Sequence, residues 1–159
     1  MIIFEGISTT RVGIMHEWSL AEAILEALTS LMEQEGAKSI SEVEILYGEM
    51  MELELDILRF ALEELSKETP MKDTKFIFSE EKASFRCNSC GYKWNFEQAH
   101  SLLSGELGIR EDPTGERESP IHFIPELAQA LMRCPNCGSR DFEIESGKGI
   151  RISRILIER

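Results

Sequence analysis

Long apolar runs are missing from this chain. No stretch approaches the ~20 residues that a helix needs to cross a bilayer, which argues against a membrane protein. The opening MIIFEGISTTRVGIM lacks the charged start and unbroken apolar stretch of a secretory signal, so a cytoplasmic protein is expected. Basic residues are also scarce: 17 Lys and Arg stand against 29 Asp and Glu, a formal net charge of -12. A surface of that sign repels phosphate backbones and argues against broad nucleic-acid binding, whereas it suits solubility, cation handling or a basic protein partner. There is no Ser/His/Asp cluster and no phosphate-binding glycine loop, so no enzymatic activity is expected of the chain itself. Low-complexity tracts are absent, and nothing repeats apart from two short cysteine motifs. The 159 residues leave room for one modest core and a small satellite domain.

What the chain does contain is clear periodicity. Leu20, Ile24, Ala27, Leu28 and Leu31 recur at the spacing of one helix face, predicting a helix over Met15 to Glu35 with Gly36 placed to end it. Val43, Ile45 and Tyr47 alternate with Glu42, Glu44 and Leu46, which predicts a strand with one buried face. A second helix is predicted from Leu55 to Lys67, its stripe formed by Leu58, Ala61, Leu62 and Leu65. Phe76 and Phe78, then Ala83 and Phe85, predict two short strands joined across Ser79 to Lys82. Ile150 and Ile152, then Ile155 and Ile157, predict a closing strand whose phase change at Ser153–Arg154 requires a bulge or short break. Between these parts, Tyr92 to Leu103 is weakly periodic and Ser104 to Pro120 reads as a mobile loop. A helical pattern then resumes from Ile121 to Met132.

All four cysteines fall in two C-x-x-C pairs, Cys87 with Cys90 and Cys134 with Cys137, and none is left over. In a reducing compartment that arrangement points to metal rather than disulfides. Four thiolates give a closed tetrahedral zinc site with Zn–S bonds near ~2.3 Å, structural because no coordination position stays open. Gly91 and Gly138 follow the second cysteine of each pair, where the knuckle turn calls for positive φ, and Pro135 stiffens the second knuckle. Iron in the same four-sulfur geometry is the alternative metal, which would make a rubredoxin-like electron carrier. A redox C-x-x-C would need no second pair. The resulting fold class is α+β: a small mixed β-sheet packed by two helices, with an inserted zinc-ribbon-like domain. Residues 15–80 plus 148–159 form the helix–sheet domain, 81–147 the zinc domain, and 1–14 an N-terminal extension. A rival function is a zinc-ribbon nucleic-acid or transcription module. It would need a basic, aromatic-bearing face. Arg86, Lys93, Arg133 and Arg140 lie near the knuckles, but Glu106, Glu111, Asp112, Glu116 and Glu118 oppose them.

Met15-His16-Glu17-Trp18-Ser19-Leu20 opens the first helix, Tyr47-Gly48-Glu49 follows, and the second knuckle reads Cys134-Pro135-Asn136-Cys137-Gly138-Ser139. From Met15 to the C-terminus this combination resembles HypA, the hydrogenase nickel-incorporation protein family. The long separator containing Ile121-His122-Phe123-Ile124-Pro125-Glu126 is similar to its archaeal members. The resemblance implies a metallochaperone that binds Ni(II) weakly near its N-terminus. It passes the ion, together with the GTPase HypB, toward the large subunit of nickel-iron hydrogenase, some members also serving urease maturation. It implies a nickel-binding α/β domain beside the zinc domain. A homodimer is compatible with it; nucleic acid and membrane are not expected as partners.

The chemistry of His16 supports a nickel role independently. In a chain beginning at Met15, the α-amine, the His16 amide nitrogen and the His16 imidazole close adjacent chelate rings, a nitrogen set that suits Ni(II) or Cu(II). The resemblance places Glu17 near the nickel; the other reading is a carboxylate in the first turn of a helix. His122 is a candidate additional nickel ligand, against a reading as a capping or surface histidine, and His100 is given no role. One departure from the family stands at the front, where Met1 to Ile14 precede the motif and leave Met15 with an amide instead of a free amine. Arg11-Val12-Gly13 is compatible with purine-rich codons resembling a ribosome-binding sequence, so translation from Met15 is expected, the alternative being a chain that binds nickel differently.

Overall fold

The structure, a computed structural model, describes residues 17–107 and 132–159. Its described part falls into two compact units, one of residues 17–46, 53–79 and 150–159, the other of 47–52, 80–107 and 132–149.

The first unit is built on long helical and strand periodicity. Helix α1 (Glu17–Glu35) buries Leu20, Ala21, Ile24, Leu25, Leu28, Leu31 and Met32. It closes past Gly36 with the Ala37 N–H donating to the Met32 carbonyl at 3.0 Å, which satisfies one of the orphan carbonyls of the last turn. Strand β1 (Ser39–Gly48) alternates from residue 42 to residue 47 as the sequence predicts, with Val43, Ile45 and Tyr47 buried and Glu42, Glu44 and Leu46 half-buried on the other face. Helix α2 (Leu55–Ser66) packs on α1 and buries Leu58, Ala61 and Leu62. Removing each of these two leucine side chains from water contributes about 1.5–3 kcal/mol. Strand β2 (Lys75–Glu81) lies on one side of β1 and the last strand, which runs from Ile150 to Glu158, on the other. Thr74 Oγ1 donates to the Ile40 carbonyl at the start of β1, and the Ala83 N–H bonds Glu49 just past its end, so β1 and β2 run the same way with α2 as crossover. The closing strand runs the opposite way, since Lys38 N–H bonds the Glu158 carbonyl and Gly48 N–H bonds that of Gly149. The sheet is therefore mixed.

Two expectations are adjusted here. The phase change at Ser153–Arg154 is real, because buried Ile152 and Ile155 are separated by two half-buried residues, yet the strand continues through them. It is held there by Ser153 Oγ donating to the Glu44 carbonyl at 3.2 Å and by Arg154 bonding Glu42 at 2.7 Å. The strand predicted around Ala83 and Phe85 does not join this sheet. It is β3 (Ser84–Cys87), the centre of a second one.

That second, three-stranded sheet belongs to the other unit. In it β3 pairs antiparallel with β4 (Lys93–Asn95) and with β5 (Phe142–Ser146), and the last strand of the first sheet is accordingly β6. Phe85 stands opposite Trp94 on one side and Ile144 on the other, and Cys87 opposite Phe142. Helix α3 (Phe96–Leu107) starts on a reciprocal cap: Gln98 N–H donates to Asn95 Oδ1 at 2.9 Å and Asn95 N–H to Gln98 Oε1 at 3.0 Å. The helix carries on through Ser104 and Gly105, which the sequence reading gives to a loop. The remaining loop, 108–120, and the predicted helix up to residue 131 lie outside the described residues.

The sequence pattern runs Tyr47–Glu52 together with the first unit, but these residues pack with the second. Gly48 is the reason the Tyr-Gly-Glu segment can approach so closely, because a Cβ there would lie 2.2 Å from the Gly147 carbonyl oxygen. Met50 N–H bonds that same carbonyl at 3.0 Å, and Glu49 accepts the Ala83 N–H at 3.1 Å.

A candidate metal centre at the two knuckles

Cys87 ends β3, and the chain turns at once. Its N–H donates to the Tyr92 carbonyl at 2.8 Å and its carbonyl accepts the Gly91 N–H at 2.9 Å. The second knuckle repeats the pattern residue for residue: Cys134 N–H bonds the Ser139 carbonyl at 2.9 Å, and Gly138 N–H the Cys134 carbonyl at 2.9 Å. Both turns need left-handed backbone after the second cysteine, and Gly91 (φ 77°) and Gly138 (φ 75°) supply it. The halves are joined sideways by Ser89 Oγ to Ser139 Oγ at 3.0 Å and by Asn88 Nδ2 donating to Asp141 Oδ1 at 3.1 Å.

This geometry brings all four sulfurs within 4.8 Å of one another, with Cys87 and Cys134 buried and Cys90 and Cys137 exposed. Cys87 Sγ lies 3.5 Å from Cys137 Sγ and Cys90 Sγ 3.6 Å from Cys134 Sγ. A disulfide needs ~2.05 Å, whereas a tetrahedron with ~2.3 Å Zn–S bonds has edges of about 3.8 Å. The donor set fits a closed zinc site. Backbone and side-chain donors also converge on the sulfurs as thiolates require: Asn136 and Cys137 N–H groups reach Cys134 Sγ at 3.4 and 3.5 Å, and Asn136 Nδ2 reaches Cys90 Sγ at 3.5 Å.

Proton affinity is unequal across the set. The Asn136 amide, then the Tyr92 N–H, hold Cys90 down to about 6. Burial works against a Cys87 thiolate, but the N–H groups of Cys90 and Ser89 outweigh it and bring its pKa below the usual thiol value. At Cys137 the Ser139 N–H favours the thiolate, yet the adjacent Cys87 sulfur, burial and the other two sulfurs together push it up to about 12. Crowded sulfur charges repel, and a dication among them relieves that repulsion.

Under the site lies a core that the sequence reading underrates. Phe85 stacks on Trp94 with ring centroids 5.6 Å apart, and Phe142 meets Trp94 at 5.4 Å. Met50, Ala83, Phe96, Ala99, Met132 and the two buried cysteines complete the cluster. Two of the four basic side chains near the knuckles are tied to glutamates: Arg86 to Glu143 and Glu145, and Lys93 to Glu145. His100, given no role from sequence, sets its Nε2 3.1 Å from Glu52 Oε1 and its ring edge-on to Phe96. Glu52 holds left-handed backbone at φ 47°, the one non-glycine to do so among the described residues.

Of the candidate nickel residues, His16 and His122 lie outside the described residues. Glu17 is half-buried in the first turn of α1, and its Oε1 accepts the backbone N–H of Glu54 at 3.3 Å. No helix among the described residues is long and apolar enough to cross a membrane.

Known proteins resemble this chain along nearly all its length. A family model described as hydrogenase/urease nickel incorporation, metallochaperone, hypA matches residues 15–157. The hydrogenase maturation factor HypA of Pyrococcus furiosus is 41% identical over 145 residues, which is 91% of this chain and 97% of that protein. The factor of the same name from Methanopyrus kandleri is 32% identical over 145 residues, 91% of this chain and 94% of that one. Among solved structures, the solution structure of the Ni metallochaperone HypA from Helicobacter pylori aligns with a TM-score of 0.54 at 16% identity, covering 91% of this chain and 98% of that one. At that identity the likeness concerns the fold alone.

Proposed function

Because this chain belongs to the HypA family of nickel-incorporation metallochaperones, we propose that it takes up Ni(II) as cargo at the Met15-His16-Glu17 motif and hands it on for hydrogenase maturation. The observation that carries this reading is the family match from residue 15 to residue 157, which begins at that motif and takes in all four cysteines. His16 supplies the principal imidazole, Glu17 belongs to the site beside it, and His122 is the additional ligand. The nickel-binding part is drawn from 15–80 and 148–159 and the zinc part from 81–147, although 47–52, 80 and 148–149 of the former belong to the second compact unit. Cys87, Cys90, Cys134 and Cys137 hold one zinc ion that organises the second unit and performs no catalysis. The chain acts in the cytoplasm as a carrier, not as an enzyme. HypB, which supplies GTP hydrolysis, and the hydrogenase large subunit are the partners that the family implies.

Calorimetric titration of the zinc-loaded chain with Ni(II) tests the reading. One nickel per chain is expected, and His16→Ala should remove most of the binding. A chain starting at Met15 should bind more tightly than the 159-residue form, because a free α-amine with a reference pKa of ~7.7–8.0 donates to metal and an internal amide does not. Unchanged binding in His16→Ala overturns the site. Equal affinity of the two forms removes the amine from it.

A further inference from the structure

The two residues that follow His16 both commit their side chains to helix α2. Glu17 Oε1 accepts the Glu54 N–H at 3.3 Å, and the Trp18 ring meets Phe60 edge-on with centroids 6.0 Å apart. Glu54 is the N-cap residue of α2, and its own side chain makes no capping bond. The start of that helix presents unpaired N–H groups and a partial positive charge, so a carboxylate brought from α1 is well placed there. Trp18 and Phe60 stay 42% and 54% exposed, so their contact buries little surface. What it does is hold the first turn of α1 against α2.

We propose that Glu17 is a positioning residue for the nickel motif: through the Glu54 N–H it fixes the first turn of α1, to which the motif leads, against the start of α2. The inference rests on the nickel reading above and refines the part that Glu17 plays in it. A ligand held in place loses less freedom on binding metal than one on a frayed helix end. An amide oxygen accepts the same hydrogen bond as a carboxylate oxygen, whereas a metal distinguishes the two strongly. That difference separates an anchor from a ligand.

The test uses the full zinc-loaded chain, with Ni(II) affinity, the nickel absorption spectrum and melting temperature measured together. Glu17→Ala deletes the acceptor. Glu54→Pro deletes the donor at a residue whose φ of -81° is close to proline's own, and keeps the carbonyl that accepts the Leu58 N–H. Each should weaken nickel binding roughly 10- to 100-fold, the usual consequence of losing a group that orients a ligand, while Glu17→Gln and Glu54→Ala stay within about twofold. The spectrum of Glu17→Gln should match that of the unaltered protein. Loss of affinity in Glu17→Gln equal to that in Glu17→Ala would make the carboxylate itself a ligand and overturn the proposal. So would full nickel affinity in both Glu17→Ala and Glu54→Pro, even with a lowered melting temperature. His16→Ala, run alongside, separates the two levels: if it too binds normally, the nickel site is misplaced altogether, and if it alone fails to bind, only the positioning role falls.

Discussion

The two units keep their interiors by different means. The first relies on aliphatic side chains from elements far apart in sequence: Leu20 and Leu28 of α1, Val43 and Ile45 of β1, Leu58 and Leu62 of α2, and Ile155 of β6. The second has three short strands and one helix start around Phe85, Trp94, Phe96 and Phe142, and two of its buried core positions are the ligand cysteines Cys87 and Cys134. In the first unit the core is independent of any metal. In the second, core and metal site share residues, so each is expected to depend on the other.

The sharpest way to break that contrast is to remove the metal. Cys87→Ser should abolish zinc binding and open the second unit to protease, while the helical signal of α1 and α2 persists. A structural zinc contributes on the order of 10–16 kcal/mol of apparent binding energy, more than a small aromatic core can replace. Zinc content and the positions of the first proteolytic cuts check this; cuts confined to the first unit would refute it. Next in size is truncation of each core. Phe85→Ala should cost about 3–5 kcal/mol and Leu28→Ala about 2–5 kcal/mol, but only Phe85→Ala should make zinc easier to strip with a chelator. Equal chelator sensitivity in the two variants would mean that core and metal are not coupled. Smallest is Asn95→Ala, which removes the cap of α3 and should cost ~1 kcal/mol by chemical denaturation. It should leave zinc stoichiometry unchanged.

How much of this could be read from the sequence follows from the same contrast. Helices α1 and α2 and strand β1 are long enough for their apolar spacing to repeat, and the cysteine pairs announce themselves by spacing alone. Strand β4 has only three residues, and β5 carries its buried Phe142 beside charged neighbours, so neither displays a pattern that stands out. Trp94, Phe96, Met132 and Phe142 occur singly, and only the fold gathers them into one cluster. The Asn95–Gln98 cap could have been found, since a capping residue three positions before a glutamine is a local signal. Tyr47–Glu52 could not, because its partners Ala83 and Gly147 are distant in sequence. The metal reading fared well for the cysteines because tetrahedral thiolate chemistry is written in the residue types themselves. For Glu17 the sequence offered a ligand or a helix carboxylate, and only the Glu54 N–H reveals what its side chain bonds.

The chain's two tryptophans are divided one to each unit, Trp18 at 42% exposure in the first and Trp94 at 3% in the second. The protein thus carries a built-in optical label for each half. Emission from Trp18 should lie toward the red, as from an indole in water, and should change on nickel loading if His16, two residues before it, takes the ion as proposed. Trp94, shielded between Phe85 and Phe142, should emit toward the blue and shift only when the zinc unit opens. A single fluorescence spectrum can then follow cargo loading and zinc loss as separate signals.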